Sequence, residues 1–271
     1  MWRGIVPLLA SFACGRIGFE PVNGDGGRPG GDGSTACQAL AATWTPRWSN
    51  IIEYEPFDGA GAIADGASLP AAIGEAGSAS NLDQSGMRYV QGKVAQAISF
   101  DGNDDYLVLS VPAVDSSPGQ ATSVAFWMRW NGIYYPGNSG SWTCVIVFQA
   151  TYDLAFVAYD VPTTSFGFNT GNGDLWGIGP GGLASGWVHV VAVFGNGPSD
   201  GSLLYIDGQA QTMAQTLGTP HLANATSTMI VAGYASYPSF YAGALDELAV
   251  WNVALGAEDV ATLYAGQAAC P

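Results

Sequence analysis

Beyond Arg129 the sequence contains no lysine or arginine, and the 271-residue chain carries 7 basic residues against 22 acidic ones, a formal net charge of −15. A surface of that sign repels phosphate backbones and anionic lipid headgroups, which excludes nucleic-acid binding. Charge of either sign is scarce, at 11% of residues. Cysteine occurs four times, at positions 14, 37, 144 and 270, and no two are spaced for a zinc site. There is no Gly-x-Ser-x-Gly elbow, no His-Glu-x-x-His and no phosphate loop, so three common catalytic frameworks are absent. No apolar run reaches the length of a membrane-spanning helix.

What the sequence has in quantity is apolar and turn-forming residues: 48% hydrophobic, 38 glycines, 9 tryptophans. That is enough for one large core, and β-sandwiches of this length are commonly single domains. The first residues, "MWRGIVPLLASFAC", place one charge, Arg3, before an apolar run that ends at Cys14. This resembles a bacterial lipoprotein signal, in which the cysteine is acylated after cleavage. Ala13 suits the preceding position, while Phe12 and Ser11 depart from the usual small residue and leucine. An ordinary secretory signal cleaved nearby is the alternative. Residues 15–37 are rich in Gly, Pro and Asp without apolar period and read as a flexible linker. The folded domain is assigned to 38–271.

From there the chain runs as short apolar segments between Gly, Asn, Asp and Pro. "VAQAISF" and "YLVLSV" flank "DGNDD", read as a hairpin turn. That stretch mimics the start of an EF-hand loop but lacks its later Gly and Glu, Pro112 standing at the twelfth position. "ATSVAFWMRW", "CVIVF", "LAFVAY", "SFGFN", "GWVHVVAVF", "GSLLYI", "STMIVAGY" and "GALDELAVWN" follow. Asp207-Gly208 has the composition of a type I′ hairpin turn, which needs positive φ at both positions. Only "GAEDVATLYAG" has helical spacing, with Glu258 and Asp259 in its first turn suiting the helix dipole. Successive strands without intervening helices indicate an all-β, two-sheet antiparallel sandwich with one short C-terminal helix. Alternation puts Trp187, His189, Val191 and Val193 on one face of their strand and Val188, Val190, Ala192 and Phe194 on the other. Both faces are apolar, so His189 is read as structural. Cys144, inside "WTCVIVF", is read as a buried thiol.

Three stretches in order carry a family resemblance: "GKVAQAISFDGNDDYLVL", "GWVHVVAVFGNGPSDGSLLYIDGQ" and "YAGALDELAVWNVALGAEDVATLY". Together they resemble the laminin G-like jelly roll of the concanavalin A-like lectin/glucanase superfamily. Gly256 departs from it where a Ser-type helix cap is usual. The resemblance implies a jelly roll, and many such modules bind carbohydrate or protein without catalysis. Hydrolases of the superfamily carry several acids on one strand. Here the nearest sets are Glu53-Tyr54-Glu55 and Asp246-Glu247, the latter expected on opposite strand faces.

The expected function is therefore an exported, non-catalytic cell-envelope binding module for carbohydrate. The alternatives are a structural or adhesive protein–protein module, or a glycoside hydrolase. By resemblance one structural Ca²⁺ is expected, with Asp246 as ligand and Asp58 as companion, solvated aspartates being the alternative. Relatives' first and last strands are neighbours, which implies a Cys37–Cys270 disulfide. For a glycan, the candidates are loop aromatics: Trp142, Trp176, Tyr234, Tyr237 and Tyr241. The protein is expected as a monomer at the bacterial envelope, outer-membrane or secreted, touching the membrane only through lipid on Cys14. Cys14→Ser should release the protein from the membrane fraction; retention of that variant would refute acylation.

Overall fold

The computed structural model describes residues 38–270, except 82, 85, 132–141, 149–151, 161–162, 180–182, 184–185 and 235–238. The signal, the linker, Cys14, Cys37 and Tyr237 lie outside the described residues. In chain order the first strands are β1 (Ile51–Glu55), β2 (Ser68–Leu69), β3 (Gly77–Ser80), β4 (Arg88–Gln91), β5 (Gln96–Asp101) and β6 (Tyr106–Ser110). Then come β7 (Ala121–Trp130), β8 (Trp142–Phe148), β9 (Tyr152–Asp160), β10 (Thr163–Thr170), β11 (Leu175–Ile178) and β12 (Val188–Gly195). The series ends with β13 (Gly197–Pro198), β14 (Leu203–Ile206), β15 (Gln209–Ala210), β16 (Ala214–Leu217), β17 (Leu222–Ala223), β18 (Thr228–Val231) and β19 (Ala242–Trp251), followed by helix α1 (Ala257–Gln267). No helix among the described residues is long and apolar enough to cross a membrane.

Two antiparallel sheets form a jelly-roll sandwich. The eight-stranded sheet has the order β15-β14-β12-β7-β19-β5-β4, with β1 also paired to β19; the nine-stranded sheet has the order β16-β11-β10-β9-β8-β18-β6-β3-β2. Between them lies the main core. Alternation decides which residues enter it. On β7, Val124, Phe126 and Met128 point inward; on β12, Val188, Val190, Ala192 and Phe194 do the same. Val191 and Val193 face the other way, into a second cluster with Leu40, Ile51, Tyr54, Trp251, Val260 and Leu263. That cluster is the seam where α1 and the segment leading to β1 cover the outer face of the eight-stranded sheet.

His189 sits in this outer seam and is 2% exposed. Its ring lies 5.0 Å from that of Trp127 and 6.0 Å from that of Tyr264. Burial pushes its pKa down to about 3, so it stays neutral. Its backbone is held by the adjoining hairpin. Asp207 and Gly208 take φ of 48° and 78°, and the His189 N–H donates to Asp207 Oδ1 at 2.9 Å. Cys144 is a free thiol and buried, as its apolar strand implies.

Two sequence expectations fail locally. The polar stretch 101–105 is not a hairpin turn. It carries the chain from β5 in one sheet to β6 in the other, and the two strands do not pair. Nor do Asp246 and Glu247 divide between faces. A bulge interrupts the β19–β7 register between Asp246 and Ala249, and Glu247 takes φ 52°. Leu245 and Leu248 consequently both face the main core, leaving the two acids together on the outer side.

Those acids are buried and heavily bonded. Asp246 Oδ2 accepts the N–H groups of Lys93 and Val94, each at 2.8 Å. Glu247 accepts from Tyr54 Oη at 3.0 Å and Gln267 Nε2 at 2.6 Å, tying β1 and α1 to β19. On β1, Glu53 and Glu55 are also buried. Burial pushes Glu53 and Glu247 up to about 7, and Glu55 and Asp246 up to about 8. Each therefore binds its proton more tightly folded than unfolded. Their stabilisation is fully present below the ordinary carboxylate pKa and is lost as pH rises through 7–8. His189 works in the opposite direction, but only below its unfolded pKa near 6.5. Thermal melts at constant ionic strength should show the midpoint falling from pH 6 to pH 8.5, with a shallower fall for Glu247→Gln. A midpoint that rose over that window would contradict the assignment.

Candidate functional site

The outer face of the nine-stranded sheet differs from the inner one in kind. β8–β10 turn Phe148, Tyr152, Leu154, Phe156, Phe166 and Phe168 into the core. The alternate positions, Cys144, Val147, Ala155, Asp153 and Asn169, face outward in register. Gly167 lies next in the same row, opposite both Ala155 and Gly177. A Cβ on Gly167 would meet the backbone of Trp176 at 2.3 Å, so the strands approach there at a distance only glycine permits.

Over this face lies a cleft of about 350 Å³, within the range of roughly 300–1,000 Å³ typical of small-ligand sites. Its floor is Cys144, Asp153 and Asn169. Trp142 and Tyr234, both half-buried, supply rings, and Ser239, Thr170, Gly171 and Gly173 complete the lining. The segment bearing Tyr234 and Ser239 is pinned at both ends: Ala232 N–H donates to Val145 O at 2.8 Å, and Cys144 N–H donates to Ser239 O at 3.0 Å.

Asp153 and Asn169 stand directly opposite each other on β9 and β10, and Asn169 Nδ2 donates to Asp153 Oδ2 at 2.9 Å. Asp153 Oδ1 and Asn169 Oδ1 are buried and have no hydrogen-bond partner among the described residues. A buried acceptor left unpaired costs about 1–3 kcal/mol, a cost that a hydrogen-bond donor brought to these residues would relieve. Burial pushes Asp153 up to about 7, against the opposing Asn169 hydrogen bond. The same burial, with Asp153 alongside, pushes the Cys144 thiol well above its usual value and favours its neutral form. The turn below is set by Asp174, which accepts from Thr170 Oγ1 at 2.5 Å and Ser199 Oγ at 2.6 Å. These bonds outweigh burial and hold its pKa below the usual range.

Of the aromatic candidates, Trp142 and Tyr234 meet in this cleft and two others do not. Trp176 pairs with Phe168 in the ladder, packs on the main core and donates its Nε1–H to Ser202 O at 3.1 Å. Tyr241 is fully buried, edge-on to Phe100 at 6.4 Å, which removes it from the ligand-facing set. Asp58 accepts the Gln96 N–H at 3.0 Å, and Asp246 is occupied by two backbone donors. Among the described residues these two belong to no set of three metal-competent groups. Asp153 and Asn169 escaped the sequence reading. Their signal is a polar residue, in phase with small ones, inside the apolar runs "YDLAF" and "FGFN".

A family model described as the concanavalin A-like lectin/glucanases superfamily matches residues 101–261. No curated protein matches the chain. Among solved structures, one similar fold is domain 4 of AbnA, a GH43 extracellular arabinanase from Geobacillus stearothermophilus, in complex with arabinotriose. The TM-score is 0.52 at 16% identity, over 79% of this chain and 98% of that one. Another is the botulinum neurotoxin serotype D ligand-binding domain in complex with N-acetylneuraminic acid, at TM-score 0.51 and 13% identity. There 80% of this chain matches 51% of the other. At these identities the likeness is one of fold.

Placement separates the two kinds of aromatic residue in a denaturation experiment. Tyr241→Ala should cost about 3–5 kcal/mol, the range for truncating a core aromatic. Trp142→Ala should cost under about 1 kcal/mol, since the residue lines the cleft and is only partly buried. Equal losses in urea titrations would place Trp142 in the core as well.

Proposed function

The chain belongs to the concanavalin A-like lectin/glucanases superfamily, and on that footing we propose that it is a non-catalytic module that binds neutral carbohydrate in the β8–β10 cleft. The observation that carries the reading is the pairing of two ring walls, Trp142 and Tyr234, with the unpartnered acceptors Asp153 Oδ1 and Asn169 Oδ1 on one floor. Aromatic faces bind the apolar faces of sugar rings, and adjacent hydroxyls supply the donors such acceptors lack. An ionisable carboxyl at the floor and a chain charge of −15 disfavour acidic sugars.

Glycoside hydrolysis needs two carboxyl groups flanking one bond. Among the described lining residues the cleft has one, Asp153. The Asp246–Glu247 pair is buried beneath α1 and engaged by backbone, Tyr54 and Gln267. This supports binding over catalysis. The address belongs to the same proposal: an exported envelope protein, held through Cys14 by a flexible linker. A Cys37–Cys270 bridge would close the seam. The neighbourhood supports it, because β1 pairs with β19 and Gln267 Nε2 donates to Gln38 O at 3.4 Å. Cys144 is free and so is not the alternative partner.

A glycan array followed by titration calorimetry tests the function. Neutral saccharides should bind. Trp142→Ala should weaken them by about 2 kcal/mol, as for a stacked anchor, and Asp153→Ala by about 1.5–3 kcal/mol, as for hydrogen bonds to a charged group. His189→Ala should leave affinity unchanged. Binding confined to sialylated or uronate glycans, or indifferent to Trp142 and Asp153, would refute the reading. Capture of an envelope protein without any saccharide hit would favour the adhesive alternative.

A further inference from the structure

The floor of the β8–β10 cleft is a small grid set by the ladder register. On the outer face of the sheet Val147, Asp153 and Asn169 form one row, and Cys144, Ala155 and Gly167 form the next. Neighbours in a row are about 4.8 Å apart, and the rows about 7 Å, two residues along a strand. The first row holds the acceptors Asp153 Oδ1 and Asn169 Oδ1, which have no hydrogen-bond partner among the described residues. The second is apolar and small, so nothing large stands beside the Cys144 thiol.

Cys144 is where three chemistries meet. Asp153 and Ser239 both act on its thiol, the first by its charge and the second through its hydroxyl. Kept neutral by burial, the thiol is a small hydrophobe and a weak acceptor. Ser239 Oγ is buried and has no hydrogen-bond partner among the described residues. Asp153, Asn169 and Ser239 all line the cleft, yet they are only 7%, 8% and 1% exposed. That is too little for solvent to stand in as the missing partner. The cleft therefore offers acceptors, an apolar contact and a hydroxyl donor side by side.

A plain hexose can meet the polar atoms through its hydroxyls, but it sets a hydroxyl or a water against Cys144. A protonated amino sugar pairs with Asp153 and brings no methyl for Cys144. An acetamido group carries a donor, an acceptor and a methyl on one planar unit. In its trans form the N–H and the methyl share one edge, and the carbonyl oxygen occupies the other. We propose that the cleft selects a neutral 2-acetamido sugar, an N-acetylhexosamine. Its N–H donates to the Asp153 and Asn169 acceptors, its methyl lies on Cys144, and its carbonyl accepts from Ser239 Oγ–H. The sugar ring packs on Trp142 and Tyr234. This inference rests on the carbohydrate reading of the cleft and narrows it to one class of sugar.

The test is calorimetry on the purified full chain with methyl glycosides in matched pairs: N-acetylglucosamine against glucose, and N-acetylgalactosamine against galactose. Methyl glucosaminide serves as the charged-amine control. In at least one pair the acetamido sugar should bind about 10–200-fold tighter than its parent hexose, the range for one apolar group in a fitted pocket. Ser239→Ala, which removes a hydroxyl without a protein partner, should weaken the acetamido sugar about three- to tenfold and leave the hexose unchanged. Cys144→Ser should likewise narrow the preference; if that variant fails to fold, Ser239→Ala decides alone. Parent hexoses binding as tightly as their acetamido partners, tighter binding of the glucosaminide, or an undiminished preference in Ser239→Ala overturns the inference and leaves the carbohydrate reading standing. Absence of binding by every saccharide on the array overturns both.

Discussion

Phe194 of β12 receives three rings from the opposite sheet edge-on. Phe148, Tyr152 and Phe168 each lie 5.0 Å away, at interplanar angles of 83°, 87° and 89°. This contact locks the strand phase of β8, β9 and β10 together, because a one-residue slip in any of them would turn its ring out of the core. Each ring is worth about 1.5–3 kcal/mol in burial, and each edge-to-face pair about 0.5–1.5 kcal/mol beyond that. The polar pair on the other face costs about 1–3 kcal/mol for each unpaired acceptor. The rings therefore win the register, and Asp153 and Asn169 are placed opposite each other as a consequence. The cleft is the back of the aromatic staple.

How much of this was legible follows from how local each cause is. The strand phase of β12, the Asp207-Gly208 turn and the C-terminal helix are set by neighbouring residues, and each agrees with the sequence reading. Gly256 lacks a capping side chain, yet its N–H donates to Asp259 Oδ2 at 3.2 Å, half of a capping box. The bulge at Glu247 was not legible. Its left-handed backbone is compensated by Tyr54, 193 residues earlier in the chain, and no window around "ALDELAV" contains that partner. The crossover at 101–105 was misread for the same reason. A polar turn between two apolar strands looks alike whether the second strand pairs with the first or joins another sheet.

The site divides in a similar way. Of the aromatic residues read as ligand-facing, Trp142 and Tyr234 line the cleft. The reading failed for Trp176, whose strand phase makes it a partner of Phe168, and for Tyr241, whose N–H pairs with Ala232 O at 2.8 Å and draws the ring inward. Asp153 and Asn169 lie 16 residues apart on separate strands. Sequence shows two isolated polar residues; only the ladder makes them a pair.

Stability by itself does not explain why they are there. A valine at 153 would fit the neighbouring Val147 and Ala155 and spare the desolvation of a carboxyl, since replacing both members of a buried polar pair by apolar groups is often neutral or stabilising. The polar pair is thus a cost that the aromatic staple offsets, which is the usual relation between a scaffold and a site. The choice of Asp beside Asn has a chemical consequence as well. With its pKa raised to about 7, Asp153 offers a hydroxyl on the acid side of neutrality and an anionic acceptor on the basic side, while Asn169 offers an acceptor throughout. A sugar hydroxyl, being donor and acceptor at once, satisfies either state. A ligand with a fixed negative charge is compatible only with the first.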